Sequence, residues 1–179
     1  MALDRNRIER IFQQLGKELT RPTTLCIFGS SPAIFCGQQS RQTQDIDVWH
    51  ANSIYDSGEL SRACSRAGVL YDPKGEIDPN SIYFQIVRPG IVALPKKFET
   101  ESLAQYGNLN LVMPAPAILS AAKLVRANEN DIRDVVWWIK SRNIKTRQIG
   151  EAIDQFPESG DKETAKENMV FIKLISKDG

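Results

Sequence analysis

Cysteine and histidine are scarce in this chain, which has three of the first and one of the second in 179 residues. Cys26, Cys36 and Cys64 fall at neither a metal-ligand spacing nor a disulfide framework, so reduced, partly buried thiols are expected. The lone His50 reads as a strand-end surface residue, with substrate contact as the sharper alternative. No apolar run approaches the roughly 20 residues of a membrane span. The opening MALDRNRIERIFQQL is charged and helical in pattern where a signal peptide would be apolar. Excess charge is missing too: a formal net charge of +1 argues against a globally polybasic nucleic-acid binder, though not against a local basic face. There is no internal repeat. These absences leave a cytoplasmic globular protein of one domain with a small helical appendage, and 41% hydrophobic content supplies an ordinary core.

Residues 4–19 place Ile8, Ile11, Phe12, Leu15 and Leu19 at helical spacing, and Arg21-Pro22 ends the helix because the residue before proline avoids helical backbone angles. TTLCIF (23–28) is a β-rich run bounded by proline and glycine and predicts a buried strand. SPAIFC (31–36) predicts a short helix with Pro32 in its first turn. DIDVWH (45–50) alternates acid with apolar residue, the period of a half-buried strand. A helix is expected from residue 56 or 57 to about 67, then a loop over 71–80. Strands are expected at 81–87, 91–95 and 109–113, and helices at 115–126, 130–141 and 146–156. Residues 157–168 are polar and linker-like, and MVFIKLISK beyond them fits a strand or an amphipathic helix. The domain reading is a core over 1–113, a helical extension over 114–156 packed on it, and a polar linker and terminal segment over 157–179.

Chemistry concentrates in FGSSPAIFCGQQSRQTQDIDVW (28–49). A glycine after a strand lets backbone approach a phosphate, and N–H groups at a helix start present donors to it. Two carboxylates at i and i+2 of a strand, Asp45 and Asp47, point to one face. Without a cation they repel by ~1 kcal/mol at ~4 Å in water, and more when buried. With Mg²⁺ they would hold a hard ion that bridges phosphate oxygens.

Phe28-Gly29-Ser30 followed by Arg41-x-Thr43-x-Asp45-Ile46-Asp47-Val48 resembles the signature of the DNA polymerase β-type nucleotidyltransferase superfamily. The local form is similar to the branch of AbiEii-like and minimal-nucleotidyltransferase toxins of bacterial toxin–antitoxin systems. MPAPAILSAAKLVRANENDIRDVVWWI (113–139) adds a second likeness, with Lys123, Asp131 and Asp134 on the positions of that branch's lysine and acids. The resemblance spans roughly residues 24–140. It implies an α/β (α+β) fold, a small mixed β-sheet flanked by helices with a C-terminal helical extension. It also implies transfer of a nucleoside monophosphate from an NTP to an RNA, notably tRNA, or to a protein acceptor, with a cognate antitoxin as partner. Asp45 and Asp47 would be catalytic and hold Mg²⁺, while Gly29, Ser30, Arg41, Thr43 and Lys123 would bind the substrate.

One departure stands out. The superfamily usually places a third acid on a later strand beside the Asp-x-Asp strand, and SIYFQIV carries Gln85 there. An amide is a poor general base or metal ligand. Either a loop acid, Glu76 or Asp78, swings in, or catalysis is weakened or lost and the fold serves as a binding or regulatory partner.

Plainer roles compete elsewhere. Lys123 and Arg126 share a helix face that fits a phosphate clamp or a solvated helix end. Asp131 fits a capping role. Lys140, Arg142, Lys145 and Arg147 fit a solvated helix end better than an RNA surface. Trp137-Trp138 fits core plus edge better than a base-stacking platform.

Overall fold

Asp4 accepts a hydrogen bond from the Arg7 N–H at 2.8 Å and so starts helix α1 (Arg5–Glu18), which buries Ile8, Ile11, Phe12 and Leu15. The computed structural model of the chain describes residues 3–177. It divides into two compact units, Met1–Arg88 with Thr100–Met113, and Pro89–Glu99 with Pro114–Gly179.

The first unit is built on a six-stranded mixed sheet. Its strands are β1 (Thr23–Phe28), β2 (Asp45–Trp49), β3 (Leu70–Tyr71), β4 (Tyr83–Val87), β5 (Thr100–Tyr106) and β6 (Leu109–Pro114), in the order β3-β4-β2-β1-β6-β5. β2 runs antiparallel to β1, and β4 runs parallel to β2, while β6 is parallel to β1. Leu25, Ile27, Ile46, Val48, Phe84, Ile86, Leu109 and Leu111 join the buried residues of α1 in one apolar cluster. Helices α2 (Ser31–Phe35) and α3 (Ser57–Arg66) pack against α1, with Leu60, Ala63 and Cys64 buried on α3. Gly16 lets α1 approach the β5–β6 turn closely, since a Cβ there would lie 2.2 Å from the Tyr106 carbonyl oxygen.

Four helices make up most of the second unit: α4 (Pro116–Arg126), α5 (Glu129–Arg142), α6 (Thr146–Ile153) and α7 (Ser159–Lys177). α4 touches each of the other three and buries Ile118, Leu119, Ala121 and Leu124. Ala127 ends α4 in the left-handed region, and Asn128 opens α5 through a reciprocal capping box with Asp131.

The mixed α/β fold with a helical C-terminal part matches the expectation; Leu70–Tyr71 is an unexpected two-residue strand, and three further segments differ. Residues 91–95 form no strand; Ala93, Leu94 and Pro95 are buried as irregular chain, and Pro95 has no N–H for a ladder. A strand lies instead at Thr100–Tyr106, at the sheet edge, where exposed Thr100, Glu101 and Ser102 followed by half-buried Leu103 and Ala104 give no alternating pattern. Residues 159–168, expected as linker, belong to α7, whose Ala165, Met169 and Ile172 are buried and whose Asn168 donates to the Leu124 carbonyl at 2.8 Å. No helix among the described residues is long and apolar enough to cross a membrane.

Candidate functional site

Burial along β2 alternates: Ile46 and Val48 are in the core, while Asp45 and Asp47 are half-buried on the opposite face. That follows from the two-residue period of a strand. β1 delivers Gly29 to the same place, because Phe28 pairs with Asp47 across the antiparallel ladder. Gly29 has φ +72°, and a Cβ on it would stand 2.2 Å from Asp47 Oδ2. The missing side chain is what leaves room for the carboxylate against the backbone.

The chain between the two strands folds back to brace both. Ser31 Oγ donates to the Asp45 carbonyl oxygen at 3.0 Å, and Thr43 Oγ1 donates to Asp45 Oδ1. Arg41 Nη2 donates to Ser30 Oγ at 3.1 Å, and Arg41 Nη1 to the Gln42 carbonyl at 3.2 Å. Six of the seven expected site residues, Gly29, Ser30, Arg41, Thr43, Asp45 and Asp47, therefore sit at one end of the β1–β2 pair. A guanidinium beside the Ser30 hydroxyl and the Asp47 carboxylate beside Gly29 put a cationic and an anionic group at adjacent residues of the turn after β1.

On the other flank, the parallel ladder sets Tyr83 beside Asp45 and Gln85 beside Asp47. Tyr83 is a site residue that the sequence pattern does not reveal. Burial pushes its phenol above the ordinary range, and the negative charges of Asp45 and Asp47 push it further, so it stays a protonated donor. Glu76 and Asp78 are exposed in the preceding loop, and Asp78 accepts from the Asn80 N–H at 2.7 Å. Among the described residues, no group of three or more His, Cys, Asp or Glu forms a metal-binding cluster. Two carboxylates on one face, with room made by Gly29, fit an oxygen-preferring divalent cation whose remaining ligands come from phosphate oxygens and water.

Residues 6–158 match the family described as "Nucleotidyltransferase of unknown function (DUF6036)". The chain belongs to that nucleotidyltransferase family. Its fold also resembles the crystal structure of an antigenic nucleotidyltransferase-like protein from Paracoccidioides brasiliensis. That likeness has a TM-score of 0.58 at 13% identity, over 99% of this chain and 94% of the other, and is one of fold. No curated protein matches the chain.

The seventh expected residue of this nucleotidyltransferase-family chain, Lys123, lies in the second unit. It is buried, with Nζ 2.7 Å from Asp134 Oδ2 and 3.5 Å from Asp131 Oδ1. Arg126 grips Asp131 through Nε and Nη2 at 2.7 and 2.8 Å. Burial alone would push the Asp131 carboxyl up. The Arg126 hydrogen bonds, the charges of Lys123 and Arg126 and the Asn128 N–H together hold it below the usual aspartate range.

The remaining candidates take plain positions. His50 is exposed beyond β2, with Nδ1 2.9 Å from the Tyr55 hydroxyl. Lys140, Arg142, Lys145 and Arg147 are exposed, and Arg147 pairs with Glu151 one turn on. Trp138 is fully buried and Trp137 packs edge-on against it, with ring centroids 4.8 Å apart. Cys26 and Cys64 are free and buried, each thiol pushed up to about 12 by burial.

Proposed function

We propose that this protein is a Mg²⁺-dependent nucleotidyltransferase that moves a nucleoside monophosphate from an NTP to an acceptor. The observation that carries the reading is Asp45 and Asp47 on one face of β2, with Asp47 seated against Gly29. In this reading Asp45 and Asp47 hold the ion, which supplies charge neutralisation at the triphosphate. Thr43 and Ser31 fix the orientation of Asp45. Gly29 and Ser30 approach the phosphates through backbone N–H and hydroxyl groups, with Arg41 holding Ser30 in place and adding positive charge nearby. Phosphoryl chemistry of this kind depends mainly on positioning and electrostatics, which such a kit provides. Lys123 contributes by ordering the α4–α5 pair through its two aspartates, and contact with the triphosphate is the further role its resemblance implies.

The Arg-x-Thr-x-Asp-Ile-Asp-Val stretch supports a finer reading: a cytoplasmic toxin of a toxin–antitoxin pair, acting on an RNA such as tRNA or on a protein. A second reading rests on Gln85, the neutral residue beside Asp47. There the site is catalytically degenerate, and the fold works as a binding or regulatory partner.

Pyrophosphate release from Mg²⁺-NTP in the presence of total cellular RNA or protein tests transfer. The transfer reading expects release that is lost in Asp45→Asn and Asp47→Asn. Release unchanged in both variants contradicts it, and no release at millimolar NTP favours the binding-partner reading. Growth arrest on expression that survives both substitutions would falsify the catalytic form of the toxin reading.

A further inference from the structure

We propose, resting on the transfer reading above, that the acceptor is a phosphate monoester whose ionised oxygen attacks, rather than a hydroxyl that must first lose a proton. A hydroxyl nucleophile must lose its proton, and a positioned base speeds that step by roughly a hundredfold or more. Beside Asp47 the position open to such a base holds Gln85, an exposed amide that takes up no proton at neutral pH. Beside Asp45 stands Tyr83, whose phenol hydroxyl is a hydrogen-bond donor and a poor proton acceptor. Asp45 and Asp47 are themselves committed to the cation. Glu76 and Asp78 stay out in their loop, and His50 is engaged with Tyr55 beyond the end of β2.

The same two residues suit a different acceptor. The Tyr83 hydroxyl and the Gln85 amide are hydrogen-bond donors on the face that carries the carboxylates, and donors match the spare oxygens of a phosphate. A phosphate monoester is largely ionised at pH 7, with its second pKa near ~6. One of its oxygens bonds to the α-phosphorus of the NTP, and the α–β anhydride bond breaks. The electron pair of that bond leaves on pyrophosphate. No proton is removed and nothing is oxidised or reduced. Inorganic phosphate, which shares these oxygens without the ester, would give NDP plus pyrophosphate; an RNA bearing a terminal phosphate would give a capped end.

The experiment uses the full chain with Mg²⁺ and NTP and offers four acceptors separately. They are ³²P-labelled inorganic phosphate, a 3′-blocked oligonucleotide with a 5′-phosphate, its dephosphorylated 3′-hydroxyl counterpart, and glycerol. Expected is label in the β-position of NDP, or nucleotide added to the 5′-phosphate, with both hydroxyl acceptors slower by roughly a hundredfold, the usual contribution of a general base. The first two arms tell a free phosphate from a nucleic-acid end. Gln85→Glu should lower transfer to phosphate about tenfold or more, through like-charge repulsion, while raising transfer to glycerol. In wild type the rate with inorganic phosphate should rise with the ionisation of phosphate and then level off.

Transfer to hydroxyl acceptors equal to or above that to phosphates overturns the proposal, as does Gln85→Glu that leaves the preference unchanged. Transfer to none of the four, with Mg²⁺-NTP binding intact, overturns it while sparing nucleotide binding. Loss of Asp45- and Asp47-dependent binding altogether fails the underlying reading instead.

Discussion

Asp47 and Gly29 occupy one space: the Asp47 Oδ2 atom lies 2.2 Å from where a side chain on Gly29 would begin. Gly29→Ala must therefore displace the carboxylate and also hold alanine at φ +72°. A loss of about 1–3 kcal/mol in a denaturant melt is expected, together with loss of Mg²⁺-NTP binding. Unchanged binding in a folded Gly29→Ala protein would separate the glycine from the site.

Gly16→Ala reverses the usual helix rule. In the last turn of α1 alanine would ordinarily gain up to about 1 kcal/mol over glycine. Here the new Cβ would meet the Tyr106 carbonyl oxygen at 2.2 Å, and backbone has little freedom to yield. Urea melts should show a net loss of about 1–3 kcal/mol.

Lys123 lies against two fully buried carboxylates, so Lys123→Met should cost about 3–5 kcal/mol by removing the cation beside Asp134, while Asp131 keeps Arg126. Adding Asp134→Leu should restore part of the loss. A single variant as stable as wild type in a thermal melt would contradict the burial of the pair.

Acid should weaken the second unit through Asp131. Its carboxyl is held below the ordinary 3.8, so its contribution is complete above that value. It is lost as pH falls through the lower folded value. Asp131→Asn should cost on the order of 3 kcal/mol at neutral pH. The gap between wild type and variant should narrow below about pH 4 when unfolding is followed as a function of pH.

Much of the fold was legible because its signals are local. Ile8, Ile11, Phe12 and Leu15 repeat at helical spacing, and Asp45-Ile46-Asp47-Val48 alternates as a half-buried strand must. Thr100–Tyr106 hid because three exposed residues followed by two half-buried neighbours, Leu103 and Ala104, carry no alternation. The apolar run 91–95 misled because buried irregular chain is as apolar as a strand. α7 hid because only Ala165, Met169 and Ile172 mark its inner face within a highly charged stretch.

The site divides the same way. Gly29 through Asp47 could be gathered from one continuous stretch. Tyr83 could not, since its place beside Asp45 is set by the register of β4 on β2, a pairing between distant segments. Nor could the enclosure of Lys123 by Asp134 and Asp131, which depends on how α5 packs on α4.

The paired aspartates are tested most directly by titrating Mg²⁺-NTP calorimetrically into wild type and into the Asp45→Asn/Asp47→Asn double variant, with matched melts confirming that both are folded. The expected result is saturable, Mg²⁺-dependent binding to wild type that disappears in the variant. Equal binding by both proteins, or none by wild type at millimolar nucleotide, would contradict Asp45 and Asp47 as the nucleotide-metal site.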